Sequence, residues 1–100
     1  MKPLPFTISK KALYDLEEIW LYTFLNWSVE QADRYNNLIF DEINYICINY
    51  KAGKSIEHIR KGYRVTKVKS HLIFYRVVNN IIEVIRILHE HIDIENRLND

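Results

Sequence analysis

One hundred residues, 12.1 kDa and a formal net charge of +1 leave room for one domain with one thin core. A composition of 48% hydrophobic and 27% charged residues excludes a disordered chain, and only two Gly and two Pro imply long regular elements with few loops. The single cysteine, Cys47, excludes an internal disulfide and a four-cysteine zinc site. No run approaches the ~20 apolar residues of a membrane span and no signal peptide is evident, so a cytoplasmic protein with no membrane association is expected.

Phe6-Thr7-Ile8 alternates after two prolines and reads as a first strand. Ser9 is placed to cap a helix from Lys10 to about Asn26. Its expected apolar stripe is Leu13, Leu16, Trp20, Phe24 and Trp27, with Lys11, Asp15, Glu18, Tyr22 and Asn26 opposite. Trp20 and Trp27 are the expected core anchors. Ser28-Val29-Glu30-Gln31 is a capping-box pattern that starts a second helix. Ala32, Tyr35, Ile39, Ile43, Ile46 and Tyr50 form its apolar face, and Gly53 is the expected terminator. A two-residue corner folds the two helices into a hairpin, about residues 9–52.

The period then switches to two. Gly62 to Lys69, His71 to Val78 and Ile81 to His89 read as three strands, with Asn79-Asn80 as a tight turn. Ile82, Val84 and Leu88 are expected on one face of the last strand, with Glu83, Ile85, Ile87 and His89 on the other. Residues 92–98 read as a short helix or arm. The fold class is therefore α+β, of order β-α-α-β-β-β, with a helical hairpin packed on an antiparallel sheet at about 56–89 and a tail at 90–100. The hairpin covers one sheet face, and the other is expected to carry the basic residues.

Charge is unevenly spread. Arg60, Lys61, Arg64, Lys67, Lys69 and Arg76 follow one another with no acid between them. Such a run reads either as a solvated face or as a patch for an anionic partner. Arg64, Arg76 and Arg86 fall on three successive strands, with His71 and His89 nearby. Histidine as acid or base and arginine as phosphate clamp are residue types suited to RNA cleavage. His89, His91 and Asp93 alternate, but the strand is expected to end near His89 and a fourth ligand is lacking, so no metal is assigned. Cys47 reads as packing and His58 as a solvated residue. The chain has no glycine-rich phosphate loop, no G-x-S-x-G and no H-E-x-x-H. No cofactor is expected.

Read in order, Gly62-Tyr63-Arg64, His71-Leu72-Ile73-Phe74-Tyr75-Arg76 and Arg86-Ile87-Leu88-His89 resemble the ParE toxins of the RelE/ParE superfamily, the toxic half of bacterial type II toxin–antitoxin modules. Ala12, Asp15-Leu16, Ile19, Tyr22, Trp27-Ser28 and Gln31-Ala32 fit the helical half. The resemblance implies a growth-inhibiting toxin that acts on DNA gyrase, serves plasmid stabilisation, and forms a hetero-oligomer with a ParD-like antitoxin. RelE-type relatives instead cut mRNA on the ribosome, and a weakly toxic relative kept as an antitoxin partner is a further alternative. Arg64, Arg76, Arg86, His89, His91, Ile92 and Asp93 are the expected target-binding residues of a gyrase toxin. His71, Arg76, Arg86 and His89 would be catalytic in a ribonuclease. Tyr14, Tyr22, Arg60, Lys61, Lys67 and Lys69 are the expected antitoxin contacts. The family usually ends L-H-x-R-M-D; here His91-Ile92 stands where Arg-Met is usual, replacing a permanent cation by a group mostly neutral at pH 7.

Overall fold

The computed structural model describes residues 2–98. Strand β1 (Phe6–Ile8) leads into helices α1 (Lys10–Asn26) and α2 (Val29–Ile48). Strands β2 (Lys54–Ser55), β3 (Arg64–Val68), β4 (His71–Val78) and β5 (Ile81–His89) follow, then helix α3 (Ile94–Leu98). The five strands form one sheet in the order β1-β5-β4-β3-β2. The meander β3-β4-β5 is antiparallel as expected. β1 adds to β5 in parallel, so the sheet is mixed, and β2 is a short extra edge.

Local chemistry sets the element ends. Ser9 Oγ accepts from Ala12 N at 3.0 Å and donates to the Ile85 carbonyl at 2.8 Å, so one hydroxyl both caps α1 and ties it to β5. Ser28 Oγ accepts from Gln31 N at 3.1 Å and caps α2. Asn79 and Asn80 both take positive φ in the two-residue β4–β5 turn, which asparagine tolerates. α2 ends at Ile48 with Asn49 as its cap, not at Gly53. Gly53 serves a close approach instead: it is buried, its N–H donates to Tyr75 Oη at 3.0 Å, and a Cβ there would lie 2.3 Å from that oxygen. The Tyr75 hydroxyl donates onward to the Tyr50 carbonyl at 2.8 Å, which satisfies a phenol on a fully buried ring.

The main core lies between the helices and the sheet. Ile39, Ile43, Ile46 and Cys47 of α2 and Ala12 and Leu16 of α1 meet Ile73, Tyr75, Ile82, Val84 and Ile87. Each fully buried aliphatic or aromatic side chain there contributes about 1.5–3 kcal/mol before entropy is counted. Two expectations about this core are corrected. α1 buries Ala12, Asp15 and Leu16, with Ile19 half-buried, whereas Leu13, Phe24 and Trp27 are exposed. Trp27 is 73% exposed and is no anchor; Trp20 is half-buried, stacks on Phe24 and donates to Asp33 Oδ1 at 2.9 Å. On β5, Ile87 rather than Leu88 joins Ile82 and Val84. Phe74 pairs with Arg86 but Tyr75 with Val84, so Ile85 is an extra residue, a bulge that reverses the facing of everything after it.

The sheet's other face is not chiefly basic. Ile56, Tyr63, Phe74, Leu88 and Leu98 form a second buried cluster, closed by the 56–63 turns and by α3. The tail is thus part of the packing.

Candidate functional site

Between the helical hairpin and the β3–β4 end of the sheet lies a groove of about 1000 Å³. α1 supplies Glu18, Ile19, Tyr22 and Thr23, the helix corner supplies Trp27, and α2 supplies Arg34, Tyr35 and Leu38. Lys69, Ser70, His71, His89 and Ile92 close the sheet side. Tyr22 at 67% and Trp27 at 73% exposure offer large aromatic faces to solvent. Trp27 escaped the sequence reading because helical spacing placed it on the core stripe. Tyr14, also expected as a contact, is 61% exposed on the same helix but does not line the groove.

An imidazole row forms the sheet-side end of the groove. His71 and His89 are directly opposed on β4 and β5, with ring centroids 5.4 Å apart, and His91 lies 5.2 Å beyond His89. Tyr35 Oη is 2.5 Å from His71 Nδ1 and donates to the Val68 carbonyl at 3.2 Å. Helical spacing places Tyr35 on the apolar face of α2, and its 36-residue separation from His71 leaves no sequence signal of the contact.

Burial, and then the neighbouring His89, hold the His71 imidazole below its ordinary value, against smaller opposite effects of Asp15 and Glu90. The unfolded chain therefore binds the proton more readily. The stabilisation is fully present above the unfolded value of about 6.5 and is lost as pH falls through the lower folded value. Melting temperatures taken across that window should fall more steeply for wild type than for His71→Gln; equal slopes would contradict the assignment.

The expected arginines are not at the groove and do not converge. Arg86 is buried, and its Nε and Nη2 donate to Asp15 at 2.8 and 2.9 Å. Asp15 also accepts from the Ile87 backbone N–H at 3.0 Å, and Arg86 Nη1 donates to the Arg97 carbonyl at 3.3 Å. Arg64 Nη1 donates to the Gly53 carbonyl at 2.7 Å, and Arg76 pairs with Glu83 at 2.7 Å. Lys67 Nζ is 2.6 Å from Glu90, whose carboxyl is held below its usual range chiefly by that contact. The acid-free run of the sequence is therefore not acid-free in space. It is also divided: Arg60 and Arg76 lie over the Tyr63 ring, and Lys61 is exposed in the same turn region, whereas Lys67 and Lys69 stand at the far end of β3. His91 is exposed and Ile92 lines the groove; Asp93 accepts from Asn96 at the start of α3. Cys47 is buried, with its thiol pushed up by burial, and His58 is exposed. No helix among the described residues is long and apolar enough to cross a membrane.

This fold is shared with chains in solved toxin–antitoxin structures. The chain superposes on a structure of the chromosomal ParDE system from P. aeruginosa with a TM-score of 0.75 at 18% identity, covering 86% of this chain and 95% of that one. The toxin–antitoxin complex RelBE2 from Mycobacterium tuberculosis gives 0.58 at 14% identity, covering 88% and 99%. Sequence narrows the class further. Residues 6–94 match the family described as ParE toxin of type II toxin–antitoxin system, parDE. Toxin ParE1 of Mycobacterium tuberculosis is 36% identical over 94 residues, 93% of this chain and 96% of the relative. Toxin ParE1 of Caulobacter vibrioides is 38% identical over 86 residues, 86% and 88%. The chain belongs to the ParE toxin family of type II toxin–antitoxin systems.

Proposed function

We propose that this toxin acts in the cytoplasm by binding DNA gyrase, without cleaving RNA, and that a ParD-like antitoxin neutralises it. One observation carries the choice of binding over cleavage. A ribonuclease needs its acid, its base and its phosphate clamp around one phosphate. His71 and His89 pair at one end of the β4–β5 ladder, and Arg76 pairs with Glu83 towards the other. Five residues along a strand are about 17 Å. Arg86 is committed to Asp15. The expected acid–base and clamp groups thus lie apart.

The groove suits the antitoxin. Its exposed aromatics, the apolar Ile19, Leu38 and Ile92, and the rim cations Arg34 and Lys69 match an amphipathic acidic segment that folds as it docks. In this reading Tyr22 and Lys69, which line the groove, contact the antitoxin together with Trp27 and Arg34. His91, 81% exposed at its side chain, remains the best placed of the tail residues for the target.

Purified protein should inhibit supercoiling by gyrase and leave ribosome-bound mRNA intact. His91→Arg adds a permanent cation, worth ~1.5–3 kcal/mol where it gains a charged hydrogen bond, and should raise that inhibition. Ribosome-dependent cleavage with no effect on gyrase would overturn the proposal.

A further inference from the structure

The imidazole row has a geometry that antitoxin docking does not require. His71 and His89 sit at directly opposed ladder positions, so the backbone register, not a mobile loop, sets their spacing. Their ring centroids are 5.4 Å apart, and those of His89 and His91 are 5.2 Å apart. Two imidazoles sharing one tetrahedral zinc, each with Zn–N of ~2.0–2.1 Å, have centroids about 5 Å apart. Both spacings are close to that value.

The surroundings of His71 point the same way. A Tyr35 phenol that donates to the Val68 carbonyl leaves His71 Nδ1 to donate to Tyr35, and in that tautomer Nε2 keeps its lone pair. A ring nitrogen tied to an oxygen in this manner is how metal-binding histidines are held in one tautomer. His89 Nδ1 accepts only a long 3.2 Å contact from the His91 N–H, which ligation can replace. Both His71 and His89 line the groove and are reached from solvent.

We propose that His71 and His89 form a cross-strand site for one divalent transition-metal ion of the zinc type. Among the described residues no three His, Cys, Asp or Glu side chains already converge on one point. The site is therefore open: two imidazoles from the protein, water in the remaining positions, and the exposed His91 able to rotate in as a third ligand. Imidazole favours zinc, copper and nickel over magnesium and calcium. The bound ion cross-links β4 to β5 and places two positive charges at the end of the groove. This inference stands whether or not gyrase is the target.

Isothermal titration of the untagged full-length protein with zinc chloride tests it, with magnesium chloride as control. The expected result is one zinc bound per chain and no heat from magnesium. His71→Gln or His89→Gln removes the binding, Tyr35→Phe weakens it about tenfold or more, and His58→Gln leaves it unchanged. Should a histidine variant fail to fold, the imidazole resonances of the wild-type protein decide: zinc should shift those of His71 and His89 and leave His58 in place. A dissociation constant weaker than about 1 mM, affinity unmoved by His71→Gln and His89→Gln, or a shift confined to His58 would overturn the site.

Discussion

Asp15→Ala should lower the melting temperature by about 12 °C or more, at about 4–8 °C per kcal/mol for a domain of this size. Asp15 and Arg86 are each only 8% exposed and form a bidentate pair. Removing the carboxylate takes its bidentate partner from a buried guanidinium, and breaking a buried pair costs about 3–5 kcal/mol against a total of ~5–15. The Ile87 N–H also loses its acceptor. Replacing both partners by apolar residues of similar volume is different in kind, because the guanidinium and the carboxylate leave together. The double variant Asp15→Leu with Arg86→Met should recover most of the single-variant loss. That double variant also decides what Arg86 is for. If it folds and inhibits growth as the wild type does, the arginine is structural; if it folds and is inert, Arg86 has a role at the target. A melting temperature for Asp15→Ala within a few degrees of wild type would show that the pair is solvated.

The order of the main elements could be read from the chain because their ends are marked locally; the two-residue edge strand β2 carries no such mark. Ser9 and Ser28 announced the helix starts, and Asn79-Asn80 the last hairpin. The buried face of α1 could not be read that way. Its apolar residues run almost all round the helix, and the side chains that choose the face are the small Ala12 and the charged Asp15, whose partner is 71 residues away. The β5 bulge hid for a similar reason: one extra residue reverses the facing of those after it, and Ile85, Ile87 and Leu88 are all apolar, so the pattern shows no break. At the site, His71 and His89 were picked out as residue types. Their opposition across two strands and the link to Tyr35 depend on register and on helix placement. The arginines misled because a run without acids in sequence acquires its acids from elsewhere in the fold: Glu83 for Arg76 and Glu90 for Lys67.

Deleting residues 92–100 should both destabilise the protein and abolish growth inhibition, and for that reason cannot by itself locate the toxic surface. Chain ends usually carry little of a core, and on that ground the deletion would be expected to leave folding intact. Here α3 closes the second cluster. Leu98 is 5% exposed, Ile94 packs beside it, and the Arg97 carbonyl accepts from Arg86. Without them Ile56, Phe74 and Leu88 lose their cover, and truncating one buried leucine to alanine already costs about 2–5 kcal/mol. Two point changes separate the roles. Leu98→Ala should lower the melting temperature by about 8 °C or more, and should reduce toxicity only as far as the folded fraction falls. His91→Ala touches a side chain that is 81% exposed and only 3.8 Å from Glu90 at its nearest ion-pair contact. It should leave the melting temperature close to that of wild type, since solvent screens an exposed pair of this kind. If the tail docks on gyrase, His91→Ala should nevertheless weaken supercoiling inhibition while antitoxin affinity is kept. Equal inhibition by His91→Ala and wild type would move the target contact away from this end of the chain. A deletion of residues 92–100 that melts with the wild type would remove α3 from the core.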